Sequence, residues 1–340
     1  MISSIVEVET YDSAQKFMDV LSPRSARWYP RFDEWIFRGQ RDARWKLIPS
    51  AFRKEAWVPF DRLAGFLSFS NYANAGQLQF EIHVVRWFAQ AADRQGLPVP
   101  GFDHTWMRER SPLFEEISRK DQHGTLTIKK FKFERPSPDI FSDKAFFPPP
   151  ELRPLFGMAQ HYGIPTRLLD WSESGYIAAY FAASGAAKLL KDNGKDICDY
   201  LTVWSLDEDA LRSVSSSSGE RIVTVRAPWN SNPNLRAQKG LFTLHETILA
   251  ANEKPIIVPL EEALERLVNE GPSRSIEARN KPILYCLRLR IDKSPLLLYL
   301  LNEEGVSAAS VFPGYAGVVQ SAQEFSLYAA SNYRDLDLSE

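Results

Sequence analysis

This sequence predicts an α+β fold: a mixed, mainly antiparallel central sheet with flanking helices and a helical insertion. Three observations carry the expectation. Helical spacing is strongest early, where Leu78, Ile82, Val85 and Phe88 or Ala89 recur among Gln, Glu and Arg. Short strand patterns gather later, at 200–206, 221–225, 240–246 and 283–291. No repeat or clean linker divides the chain, so one domain with an inserted or appended helical part is expected.

The elements follow in order. Ile5, Val6 and Val8 alternate as in a strand, and Ala14, Phe17, Met18 and Leu21 then take helical spacing, with Asp12 or Ser13 as the cap. Residues 34–38 read as a short strand broken by Gly39, and 41–53 as loop, short strand and turn. Residues 60–96 read as helix, ended by the Gly and Pro of 96–101. Residues 97–148 mix helical and strand patterns with proline, and read as an insertion, a lid or a helical layer. A helix is expected over 151–162, a strand over 166–171 and a helix over 172–190 with Ser172 or Ser174 capping it. The last helix is expected around Leu296–Gly305. The boundaries that result are a lead-in at 1–33, a main domain at 34–325 with 54–150 as its helical insertion, and a tail at 326–340.

Bulk properties narrow the function classes. The 41 Lys and Arg nearly balance the 43 Asp and Glu, so bulk charge gives no case for a nucleic-acid partner; a local basic patch would leave that partner open. Cys198 and Cys286 are lone thiols with no CxxC pair, which fits a reducing compartment and speaks against a zinc site. No secretory leader and no membrane-spanning run are read, so a cytoplasmic location without a membrane partner is expected. Trp28, Trp45, Trp87 and Trp229 sit beside Arg or Pro and read first as core residues with satisfied indole nitrogens. Oligomeric state is not legible.

The densest polar stretch is 160–172. It gathers Gln160, His161, Tyr162, Thr166, Arg167, Asp170 and Ser172 around a bend made by Gly163 and Pro165. Burying such groups without partners costs a few kcal/mol each, so the stretch is either a hydrogen-bond network or part of a site. Phe37-Arg38-Gly39-Gln40, followed by Trp45, Leu47, Pro49, Ser50 and Arg53, resembles the opening of the FRG domain. The resemblance continues through Gln160–Gly163 and Pro165–Ser172, through Arg236, Gln238, Gly240 and Phe242, and into Gly305, Phe312, Pro313 and Gly317. It spans roughly 30 to 325, with 54–150 poorly matched. The family it implies is prokaryotic and mostly uncharacterised, so the resemblance names a domain without naming a reaction.

The residues support more than one reading. Arg38, ending a strand beside a flexible Gly39, suits a phosphate or carboxylate; alternatively it pairs with Asp170 or Asp42 and holds the fold. Ser172 either lies at an anion-binding helix start or caps the helix. His161 is a base or a satisfied buried histidine, and Tyr162 a stacking platform or core. Asp170 needs a partner, with Arg167 or Arg38 expected. In the strand 240–246, Phe242, Leu244 and Glu246 fall on one face and His245 on the other.

Two functions are weighed against plain architecture. Arg38 with Gly39, Ser172 and Glu246 (or Gln238) resembles, in order and spacing only, the arginine–serine–glutamate layout of ADP-ribosyltransferases. That resemblance implies Arg38, Ser172 and Glu246 as catalytic residues. Gly39, Gln40, His161, Tyr162, Arg167, Asp170 and Gln238 would then line a nucleotide or NAD-like ligand. The sequence lacks the Ser-Thr-Ser and Glu-x-Glu patterns of those enzymes. NAD is the one cofactor this layout would call for, and no metal is expected. The alternative is a non-catalytic module that recognises a nucleotide, small molecule, peptide or nucleic-acid end, in a stress or phage-defence setting. In the bland reading, the motifs form a buried network that fixes the fold.

Overall fold

A computed structural model describes residues 5–29, 34–53, 55–57, 74–100, 147–148, 150–192, 196–216, 220–246, 257–270 and 282–329. Its strands are β1 (Val6–Tyr11), β2 (Trp35–Gln40), β3 (Leu168–Ser172), β4 (Tyr200–Asp207), β5 (Arg221–Val225), β6 (Gly240–Glu246) and β7 (Leu284–Arg290). Its helices are α1 (Ala14–Leu21), α2 (Asn74–Arg94), α3 (Arg153–His161), α4 (Gly175–Lys191), α5 (Glu208–Arg212), α6 (Pro233–Ala237), α7 (Leu260–Glu270), α8 (Ser294–Glu303), α9 (Ala308–Val311) and α10 (Tyr315–Tyr328). The chain divides into two compact units. The first is Met1–Arg53, Arg167–His245 and Ile257–Glu340; the second is Lys54–Thr166 and Glu246–Ile256.

The strands form one mixed, mostly antiparallel sheet in the order β1-β7-β4-β2-β3-β6-β5. β1 pairs in parallel with β7. The fold is α+β, as the sequence predicts.

Side chains alternate across the sheet, so each strand feeds two cores. On one face Trp35, Phe37, Leu201, Val203, Leu287 and Leu289 pack against α1, α4 and α8. On the other, Ile36, Trp204, Leu206, Leu284 and Cys286 pack against α5 and α7. Ser13 caps α1 by accepting from the Lys16 N–H at 3.3 Å. Ser174 caps α4, accepting from Ile177.

Several local expectations are corrected. Gly39 does not break β2, which runs through it to Gln40. A Cβ there would lie 1.8 Å from the Ala178 carbonyl, so the glycine admits the backbone of α4 against the sheet. A short strand is not found in 41–53, where a 3-10 turn occupies Ser50–Phe52. α8 is not the last helix. The outward face of α10 carries Tyr315, Val318, Val319 and Phe325, all more than half exposed, while Glu324 is buried. That reversal hides its inward face from a reading based on apolar spacing. Trp28 is a core residue whose indole donates to the Val20 carbonyl at 2.7 Å, but Trp45 and Trp87 are each 43% exposed. The Arg41 guanidinium lies 5.1 Å from the Trp45 ring.

In the second unit, α2 packs on α3. Phe88 stacks on Tyr162 at 6.2 Å between ring centroids, and Phe147 meets Phe156 edge-on at 5.4 Å. The helix expected at 60–96 is described over its second part as α2. Most of 97–148, namely 101–146, lies outside the described residues. No helix among the described residues is long and apolar enough to cross a membrane.

Candidate anion site at the β2–β3 seam

Arg38 projects from β2 on the same face as Ile36 and Gln40. Its Nη1 donates to the Asp170 backbone carbonyl at 2.8 Å and lies 3.4 Å from Asp170 Oδ2. The two side chains are 15% and 49% exposed. Of the two partners expected for Asp170, the structure selects Arg38; Asp42 is instead clasped by Arg44.

This single contact leaves Arg38 under-compensated. Its Nε is buried without an acceptor. Burial lowers its affinity for the proton, Asp170 works against that, and the charge of Arg53 adds to the lowering. Arg53, just after the 3-10 turn, also has a buried Nε without an acceptor. Among the described residues its guanidinium makes no hydrogen bond or ion pair. Arg167 is buried, with its guanidinium 5.7 Å from the ring of Phe52, the neighbour of Arg53. Arginine cannot shed its charge at ordinary pH, so buried guanidinium groups need an anion beside them. For Arg38 and Arg53, one half-exposed carboxylate is a small supply.

The remaining sequence candidates of the first unit are engaged in holding the sheet. Ser172 Oγ donates to the Gln238 carbonyl at 2.7 Å and accepts from the Ser174 N–H at 3.1 Å. The Gln238 amide donates to the Val311 carbonyl at 3.4 Å. Gln40 is buried, accepting from the Trp204 indole at 2.9 Å. His245 lies 2.7 Å from Glu220, which also receives both Nη groups of Arg266.

The second unit holds the other candidates. Gln160 Oε1 accepts from the backbone N–H and the hydroxyl of Thr166, at 3.1 and 2.9 Å, and so closes the bend over Gly163, whose φ is +90°. His161 meets Tyr162 edge-on at 5.3 Å, and Tyr162 is 52% exposed. Glu246 is fully buried and ion-paired with Arg153, which also donates to the Pro148 carbonyl. Arg53 is the residue that the sequence reading left outside the candidate set. Its signal was present, since it closes the motif that begins at Phe37. Among the described residues no group of three or more His, Cys, Asp or Glu stands close enough to hold a metal ion.

The model of the FRG domain matches residues 105–189, about a quarter of the chain, and that match supports the resemblance to the FRG domain family. The matched stretch contains Gln160–Ser172 and stops short of Phe37–Gln40, which lies outside it. No curated protein and no solved structure matches the chain.

Proposed function

We propose that this FRG-domain protein binds a phosphate-bearing small molecule, a nucleotide or NAD-like ligand, at Arg38 and Arg53. The observation that carries the reading is the pair of partly buried arginines whose buried Nε atoms lack acceptors. A phosphate supplies what the seam lacks: negative charge, and several oxygens that match the planar fork of arginine. Asp170 then acts as the positioning residue that aims Arg38, and Arg167 adds a third positive charge near Phe52.

Recognition is favoured over group transfer. A transferase-like role would need Ser172 and Glu246 to turn toward a ligand. The Ser172 hydroxyl is held by Gln238 and Ser174, and the Glu246 carboxylate by Arg153. The ADP-ribosyltransferase-like reading, with NAD as co-substrate, therefore stands second, and a stress or phage-defence sensor fits the recognition reading.

The test is calorimetric titration of NAD, ADP-ribose, ATP and GTP into wild type and Arg38→Lys. Lysine keeps the charge and loses the fork, so binding of one nucleotide should weaken about tenfold or more. Glu246→Gln should bind as wild type does. If no nucleotide binds the wild type, or if Arg38→Lys binds it equally well, the assignment fails.

A further inference from the structure

A second arginine in the first unit stands alone for a different reason. Arg288 lies on β7 opposite Thr202 of β4 and Thr10 of β1. Alternation along β7 sends Leu287 and Leu289 to one core and Leu284 and Cys286 toward the other. Arg288 continues the second row, where another apolar side chain would extend the core. Its Nε is buried without an acceptor, and among the described residues its guanidinium makes no hydrogen bond or ion pair. Thr202 does not serve it: its hydroxyl donates to the Leu287 carbonyl at 3.0 Å and accepts nothing from the Arg288 Nε.

Arg288 lines a cavity of about 370 Å³ whose wall also includes Arg44, Cys198, Asp199 and Tyr200. Other charges here are already matched. Arg44 spans Asp42 and Asp196, at 2.7 Å to each. Asp199 is exposed and makes no ion pair with Arg288 among the described residues. A half-buried cation without an acceptor is costly where leucine would pack freely. The cavity is also larger than one ion needs and falls within the range of small-molecule pockets.

We infer that this cavity is a binding site for a small carboxylate- or phosphate-bearing metabolite, with Arg288 as its anchor. It is separate from the seam described above. The strand order puts β4 and β2 between β7 and β3, and Arg38 turns toward β3.

The buried Nε–H of Arg288 offers a direct readout, because burial slows its exchange with water. Its signal in a ¹⁵N-correlated spectrum is assigned by its loss in Arg288→Lys, which retains the charge. Wild type is titrated with acetate, inorganic phosphate and chloride at matched ionic strength. The expected result is a saturable shift with acetate or phosphate, with a Kd on the order of 1 mM, at least tenfold tighter than chloride and unchanged in Arg38→Lys. Acetate acting alone marks a carboxylate ligand, and phosphate acting alone a phosphorylated one. Equal effects of all three anions, no saturable shift, or a shift abolished by Arg38→Lys would each overturn the inference. Arg38→Lys also separates the two sites, since it weakens nucleotide binding at the seam and leaves this titration intact.

Discussion

Two charge clusters on one sheet are built to opposite rules. Beside β5 and β6, Glu220 gathers His245 and Arg266, so the acid and its two partners satisfy one another. At the β2–β3 seam, Arg38 has one half-exposed carboxylate, Arg53 has none among the described residues, and each keeps a buried Nε without an acceptor. The first cluster is complete within the protein. The second becomes complete only with an added anion. A buried ion network with every partner supplied by the fold is architecture, and one with a missing partner marks a place for a ligand.

The comparison is sharpest where a completed pair is cut. Glu246→Ala would strand Arg153, which is only 16% exposed. A loss of about 3–5 kcal/mol in stability is expected by urea unfolding, because one charge of a buried pair loses its counterion. A loss below about 1 kcal/mol would place this pair with solvated surface bridges and blur the distinction.

Acid should open the Glu220 cluster next. The hydrogen bond with His245, followed by that from Arg266, holds the Glu220 carboxyl down at about 2, below its ordinary 4.5. A depressed acid contributes its full stability above the ordinary value and loses it as pH falls through the folded-state value. The contribution should therefore disappear between about pH 4.5 and 2. Its size is about 2 kcal/mol once the partial exposure of Arg266 is allowed for. In Glu220→Gln the step across that window should vanish; an unchanged pH profile would assign acid sensitivity elsewhere.

The smallest effect has the opposite sign. Arg53→Met removes a cation that gains nothing from the described protein, and should raise stability by about 1 kcal/mol while abolishing nucleotide binding. Clear destabilisation by this change would mean that Arg53 serves the fold and would erase the contrast between the clusters.

Much of the scaffold is legible because its signals are local. Ala14, Phe17, Met18 and Leu21 lie on the buried face of α1, behind Ser13 as its cap. The seven residues expected for β6 are the seven observed, with Phe242 and Leu244 buried. α10 was not legible, because its buried face carries Glu324, which accepts from Tyr180, Ser184 and Gln320, while Val318, Val319 and Phe325 point outward. Apolar spacing cannot locate an inward face held by hydrogen bonds.

The sequence by itself determined the fold class, the capped helices and the alternating strands, since each depends on residues within a few positions of one another. It also marked Arg38 and Asp170 as candidates that need partners. The tertiary structure decided which partners they have. Arg38 meets Asp170 across 132 positions rather than nearby Asp42, because β2 and β3 are neighbours in the sheet and Arg44 already occupies Asp42. Glu246 meets Arg153 across 93 positions, and the space beside Gly39 is filled by α4. Charge type and period are written along the chain. Whether a charge is matched or left waiting depends on which distant segments the fold brings beside it, because ionic contacts act over a few ångströms of space whatever their separation in sequence.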